Sequence, residues 1–96
     1  MVDQKTKKQI KAAVKKHLPN PNYQIFLFGS RASAQNQRWS DLDIGILGKE
    51  KVPGHTLVRI EEELENSRIS FKVDVVDFRT VSDQFRNLAL RKTITL

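Results

Sequence analysis

A chain of 96 residues, 39% apolar and 29% charged, fits one soluble globular domain over residues 1–96, large enough for one modest core. With no cysteine, disulfides and cysteine-based zinc sites are excluded, and no apolar run approaches the roughly 18 residues of a membrane span. The net charge of +6 suits an anionic partner such as nucleotide, nucleic acid or an acidic protein face, or simply solubility, because the basic residues are scattered. With no apolar signal region at the N-terminus, the expected location is the cytoplasm.

The spacing predicts a helix over residues 4–18: Ile10, Val14 and Leu18 recur every fourth position with Ala13 beside them. Lysines 5, 7, 8, 11, 15 and 16 fill the remaining positions and read as a solvated face. Lys15, Lys16 and His17 suit the negative helix end, and Pro19-Asn20-Pro21-Asn22 stops it. Residues 23–28 read as a strand buried on both faces, since Ile25, Phe26, Leu27 and Phe28 are all apolar. Gly29 ends it, and Ser30 caps a short helical turn. A polar loop follows, in which Arg38 and Trp39 either contact a nucleotide or, for Trp39, pack on the loop.

Residues 41–47 form the second strand, with Leu42, Ile44 and Ile46 on one face and Asp41, Asp43, Gly45 and Leu47 on the other. Residues 55–67 form an amphipathic helix, Leu57, Ile60 and Leu64 inward and Glu61, Glu62, Glu63 and Glu65 mostly on a solvated face. Residues 71–78 form the third strand, with Val73, Val75 and Asp77 opposite Asp74, Val76 and Phe78. Asp74 inside a run of valines is costly to bury without a partner, while Asp77 reads as a turn residue. Thr80 and Asp83 resemble a capping pair for a last helix striped by Val81, Phe85, Leu88 and Ala89. The tail 92–96 is ambiguous; one reading is an extended segment docked on a partner.

Two pieces carry chemistry. Gly29-Ser30 leaves a strand into a helical turn, where free backbone N–H groups and the positive helix end suit a phosphate. Asp41 and Asp43, two apart on a strand, point the same way, and like charges that close call for a cation. A divalent metal with oxygen ligands is the usual answer. Together they read as a nucleoside triphosphate site, with Asp74 a third carboxylate.

The order strand, Gly29-Ser30-Arg31-Ala32, loop, Ser40-Asp41-Leu42-Asp43, helix, Val73-Asp74-Val75-Val76-Asp77-Phe78 resembles the nucleotidyltransferase superfamily of DNA polymerase beta. It is most similar to the minimal nucleotidyltransferases of prokaryotes, across residues 5–90. The resemblance implies an α+β, sandwich-like fold, α-β-α-β-α-β-α, with a small mixed three-stranded sheet flanked by helices. It implies that Gly29, Ser30, Arg31 and Ser40 meet the nucleotide. Asp41, Asp43 and Asp74 would bind two Mg²⁺ ions, and Asp74 would help activate the attacking hydroxyl. The chemistry implied is in-line displacement at the α-phosphorus of ATP with pyrophosphate leaving.

Two departures stand out. Ala34 occupies a position where the family pattern has Gly; a left-handed conformation there would cost Ala about 1–2 kcal/mol. Gly45 sits where an apolar residue would strengthen the strand.

Small members of the family pair with HEPN-type helical toxins, so the leading expectation is an antitoxin that moves AMP onto a toxin hydroxyl in a hetero- or homo-oligomer. Nucleotidyl transfer to a small molecule such as an aminoglycoside, and a non-catalytic antitoxin that only binds, are the alternatives. Nucleic-acid binding is less favoured, for want of an interleaved aromatic stripe.

Overall fold

Side-chain caps mark where two of the described helices begin. In the computed structural model, which describes residues 3–29, 42–67 and 72–96, α1 spans Gln4–His17. The Asp3 carboxylate accepts from the Thr6 N–H at 2.8 Å and so caps it. Three basic residues close its last turn. Its buried residues are Ile10, Ala13 and Val14. β1 (Gln24–Phe28) and β2 (Leu42–Leu47) follow. Next come α2 (Gly54–Glu65), β3 (Val73–Asp77), α3 (Asp83–Ala89) and a two-residue strand β4 (Ile94–Thr95).

The four strands form one mixed sheet in the order β3-β2-β1-β4. β1 runs antiparallel to both β2 and β4, and β2 runs parallel to β3, with α2 as the crossover. Period-two alternation then sorts the side chains. On one face, Ile25, Leu27, Leu42, Ile44, Ile46, Val73 and Val75 pack against Ile10 and Val14 of α1 and Ile60 and Leu64 of α2. On the other, Phe26, Phe28 and Phe78 form a separate aromatic cluster. Phe78 meets Phe26 and Phe28 edge-on, with ring centroids 4.9 and 5.0 Å apart.

The helices and three longer strands lie close to the sequence expectation, and the architecture is α+β. The tail is where it needs correcting. Residues 94–95 are extended, but their partner is the chain's own β1: Leu27 faces Ile94 and Phe26 faces Thr95. Among the described residues the sheet therefore has four strands, not three. The cap of α3 also differs. Ser82 accepts from the Phe85 N–H at 3.1 Å, while the Thr80 hydroxyl donates to the Asp77 carbonyl at 2.9 Å.

Two single residues do more than their sequence pattern shows. Gly45 does not weaken its strand for nothing. A Cβ there would strike the rings of Phe26 and Phe78, so the missing side chain makes room for the aromatic cluster. Asp77 is more than a turn residue, being only 3% exposed. One of its oxygens accepts from the Val52 N–H at 2.8 Å and the other from the Arg79 N–H at 3.0 Å. It thereby ties the loop before α2 to the end of β3, satisfying two amides with one buried carboxylate.

The glutamate face of α2 is not wholly solvated either. Glu63 accepts from His17 at 2.9 Å and pairs with Lys16 at 3.1 Å, joining α1 to α2. These contacts hold its carboxyl below the ordinary value of 4.5, the His17 hydrogen bond contributing most. Glu61 accepts from the Val75 N–H at 3.2 Å, covering an amide of edge strand β3.

Candidate active site

Three strands deliver side chains to one row on the aromatic face. Phe28, the last residue of β1, is the cross-strand partner of Asp43, and Asp43 is the partner of Asp74 on β3. The register follows from the hydrophobic pattern. Burying Leu42 and Ile44 on the aliphatic face turns Asp43 outward, and burying Val73 and Val75 does the same for Asp74. Paired residues on neighbouring strands sit about 5 Å apart, so the two carboxylates are side by side, both half-buried.

Gly29 completes this row from the end of β1. Its φ is +74°, in the left-handed region that glycine enters without penalty. A Cβ at this position would overlap the Asp43 carboxylate. Glycine is therefore required twice: for the turn, and for the approach of backbone to acid.

The Asp43 side of the row opens into a cleft of about 340 Å³. Phe28, Gly29 and Asp43 form one wall, and Phe85, Leu88 and Ala89 of α3 form the other, with Lys92 on the lining just before β4. The α3 wall is apolar yet open: Phe85 is 41% exposed and Leu88 65%. Phe85 leans on the cluster, its ring centroid 6.0 Å from that of Phe28.

The structure thus brings together Gly29, Asp43 and Asp74. Ser30, Arg31, Ser40 and Asp41, with Arg38, Trp39, Ala34 and the short helical turn after Gly29, lie outside the described residues. Among the described residues no group of three His, Asp or Glu side chains gathers for a metal; Asp43 and Asp74 are a pair. An all-oxygen pair of this kind fits a hard cation such as Mg²⁺. His17 is engaged with Glu63, as a helix-end residue and not as part of the site. No described helix is long and apolar enough to cross a membrane.

Sequence reasoning missed the cleft's second wall. Phe85 and Leu88 look like an ordinary core stripe, and Lys92 carries no local signal. Their place across the cleft from Asp43 is set by the tertiary fold, which no local pattern contains.

The family described as Polymerase beta, Nucleotidyltransferase matches residues 8–96. Over 68 residues the chain is 32% identical to the probable protein adenylyltransferase MntA of Haemophilus influenzae, covering 71% of this chain and 60% of that one. The chain therefore spans less than two thirds of that relative's length. A solved toxin–antitoxin structure with AMP-PNP superposes with a TM-score of 0.69 at 25% identity, covering 88% of this chain and 70% of the other. A tri-AMPylated HEPN toxin of Shewanella oneidensis in complex with MNT antitoxin gives a TM-score of 0.59 at 21% identity, over 90% and 70% of the two chains.

Proposed function

Because the chain belongs to the polymerase beta nucleotidyltransferase family, we propose that it transfers AMP from ATP to a hydroxyl of a HEPN-type toxin and so acts as that toxin's antitoxin. The observation that carries this reading is the side-by-side pair of Asp43 and Asp74 at a cleft lined by Gly29. The similarity to a probable protein adenylyltransferase and to AMP-PNP-bound and AMPylated toxin–antitoxin complexes supports the nucleotide and the class of acceptor.

In this reading Gly29 and Ser30 would hold the triphosphate, aided by Arg31 and Ser40. Asp41, Asp43 and Asp74 would hold Mg²⁺. When bound, the metal neutralises the triphosphate and stabilises the entering and leaving oxygens. Asp74 lies one strand from Asp43 and helps activate the acceptor hydroxyl by taking its proton. The new bond joins that oxygen to the α-phosphorus, and the bond to pyrophosphate breaks.

The test uses the chain with a HEPN toxin, Mg²⁺ and ATP labelled at the α-phosphate. Label should appear on the toxin with one pyrophosphate released per label. Asp43→Asn should abolish labelling while the two proteins still co-elute. A toxin neutralised equally well by wild type and Asp43→Asn, with no label on it, would instead indicate an antitoxin that acts by binding alone.

A further inference from the structure

The cleft has two charged residues on its described lining, and they are of opposite sign. Asp43 lies on one wall with Asp74 beside it, and Lys92 lies where α3 hands over to β4. Lys92 is exposed and makes no ion pair among the described residues. Its neighbour in charge, Arg86, is already committed: its Nε donates to the Phe78 carbonyl at 3.2 Å, and its guanidinium lies 3.7 Å from Asp83.

Lys92 is not on a loose end. The Leu90 N–H donates to the Arg86 carbonyl at 2.9 Å, closing α3. Four residues after Lys92, the Leu96 N–H donates to the Ile25 carbonyl at 3.0 Å, holding the tail on β1. The backbone that carries Lys92 is thus pinned on both sides, and its flexible stem ends in a strongly hydrated ammonium. Phe85, Leu88 and Ala89 add an apolar wall to the same cleft. A ligand that satisfies all three needs a cation-bridged anionic part toward Asp43, further negative charge toward Lys92, and an apolar body.

We infer that Lys92 is a nucleotide-binding residue that contacts a phosphate oxygen of ATP across the cleft from Asp43. This rests on the reading of the cleft as a nucleotidyltransferase site and adds to it a residue that none of the Gly-Ser or Asp motifs contains. The contact is a charge-assisted hydrogen bond made to the bound nucleotide. Its loss therefore weakens binding in proportion to the phosphate charge present. The apolar wall serves the uncharged part of the ligand and is indifferent to Lys92.

The test is calorimetric titration of adenosine, AMP and ATP, each with excess Mg²⁺, into wild type and Lys92→Met, which keeps the stem and removes the charge. ATP affinity should fall about tenfold, AMP affinity less, and adenosine affinity not at all. Lys92→Arg should recover most of the ATP affinity. The thermal midpoint of Lys92→Met should match wild type, separating a lost contact from a lost fold. Unchanged ATP affinity in Lys92→Met, or an equal loss for adenosine and ATP, overturns the assignment. AMP transfer to the HEPN toxin separates the two claims. A wild type that transfers AMP while Lys92→Met binds ATP normally refutes the Lys92 contact alone. A wild type that binds ATP in a Lys92-dependent way but labels no toxin refutes the acceptor and leaves the contact standing.

Discussion

The two faces of one small sheet are built on different terms. The face toward α1 and α2 is aliphatic and closed: Ile10, Val14, Leu27, Leu42, Ile44, Ile46 and Ile60 have no exposed surface. The face toward α3 is aromatic and unfinished. Phe78 is fully buried, but α3 has no buried residue of its own. Asp43 and Asp74 sit on the unfinished side. A closed face can supply stability without chemistry, and this frees the other to hold two half-buried carboxylates and an open cleft. Active sites commonly lie on such a less stable side, supported by a rigid one.

The largest expected effect lies on the closed face. Ile44→Ala, at a position with no exposure, should cost roughly 2–5 kcal/mol of unfolding free energy in urea. A loss under 1 kcal/mol would mean that this face is not the stability core. Next is Asp77→Ala, which leaves the Val52 and Arg79 amides without their carboxylate. About 1–3 kcal/mol should be lost, and hydrogen exchange at Val52 should accelerate.

On the open face, Leu88→Ser should change stability by no more than about 0.5 kcal/mol, as for exposed positions generally, yet weaken adenosine binding because it removes part of the cleft wall. An undiminished affinity would place the base elsewhere.

The smallest effect is pH-dependent and concerns the seam between helices. Glu63 is held below its ordinary value by His17 and Lys16. A depressed carboxyl contributes stability above its unfolded value, and that contribution disappears as pH falls through the folded value. Glu63→Gln should therefore lower the thermal midpoint slightly at pH 7, and the difference should shrink as pH falls below the ordinary carboxyl range. A difference that does not shrink on acidification would show that the seam is held by packing instead.

What could be read in the chain followed from parity. Four apolar residues in a row marked β1 as two-faced, and alternation in β2 and β3 placed Asp43 and Asp74 opposite Leu42 and Val73. That these two acids are cross-strand partners needs the parallel register, which no single strand contains. The use of Gly45 is not legible locally, because it is defined by the rings of Phe26 and Phe78 and not by its own neighbours. Asp77 does head a turn, but its buried tie to Val52 is not legible locally, because that partner lies 25 residues away. The short β4 depends on β1 being in place to pair with it.

The central claim is that Asp43 and Asp74 bind ATP through a divalent cation. The most direct measurement is ATP affinity of wild type and of the Asp43→Asn, Asp74→Asn double variant, each with Mg²⁺ and with chelator. The account predicts that Mg²⁺ strengthens binding to wild type and gives no such gain to the double variant, with the fold of both intact by circular dichroism. An equal gain from Mg²⁺ in both proteins would contradict it.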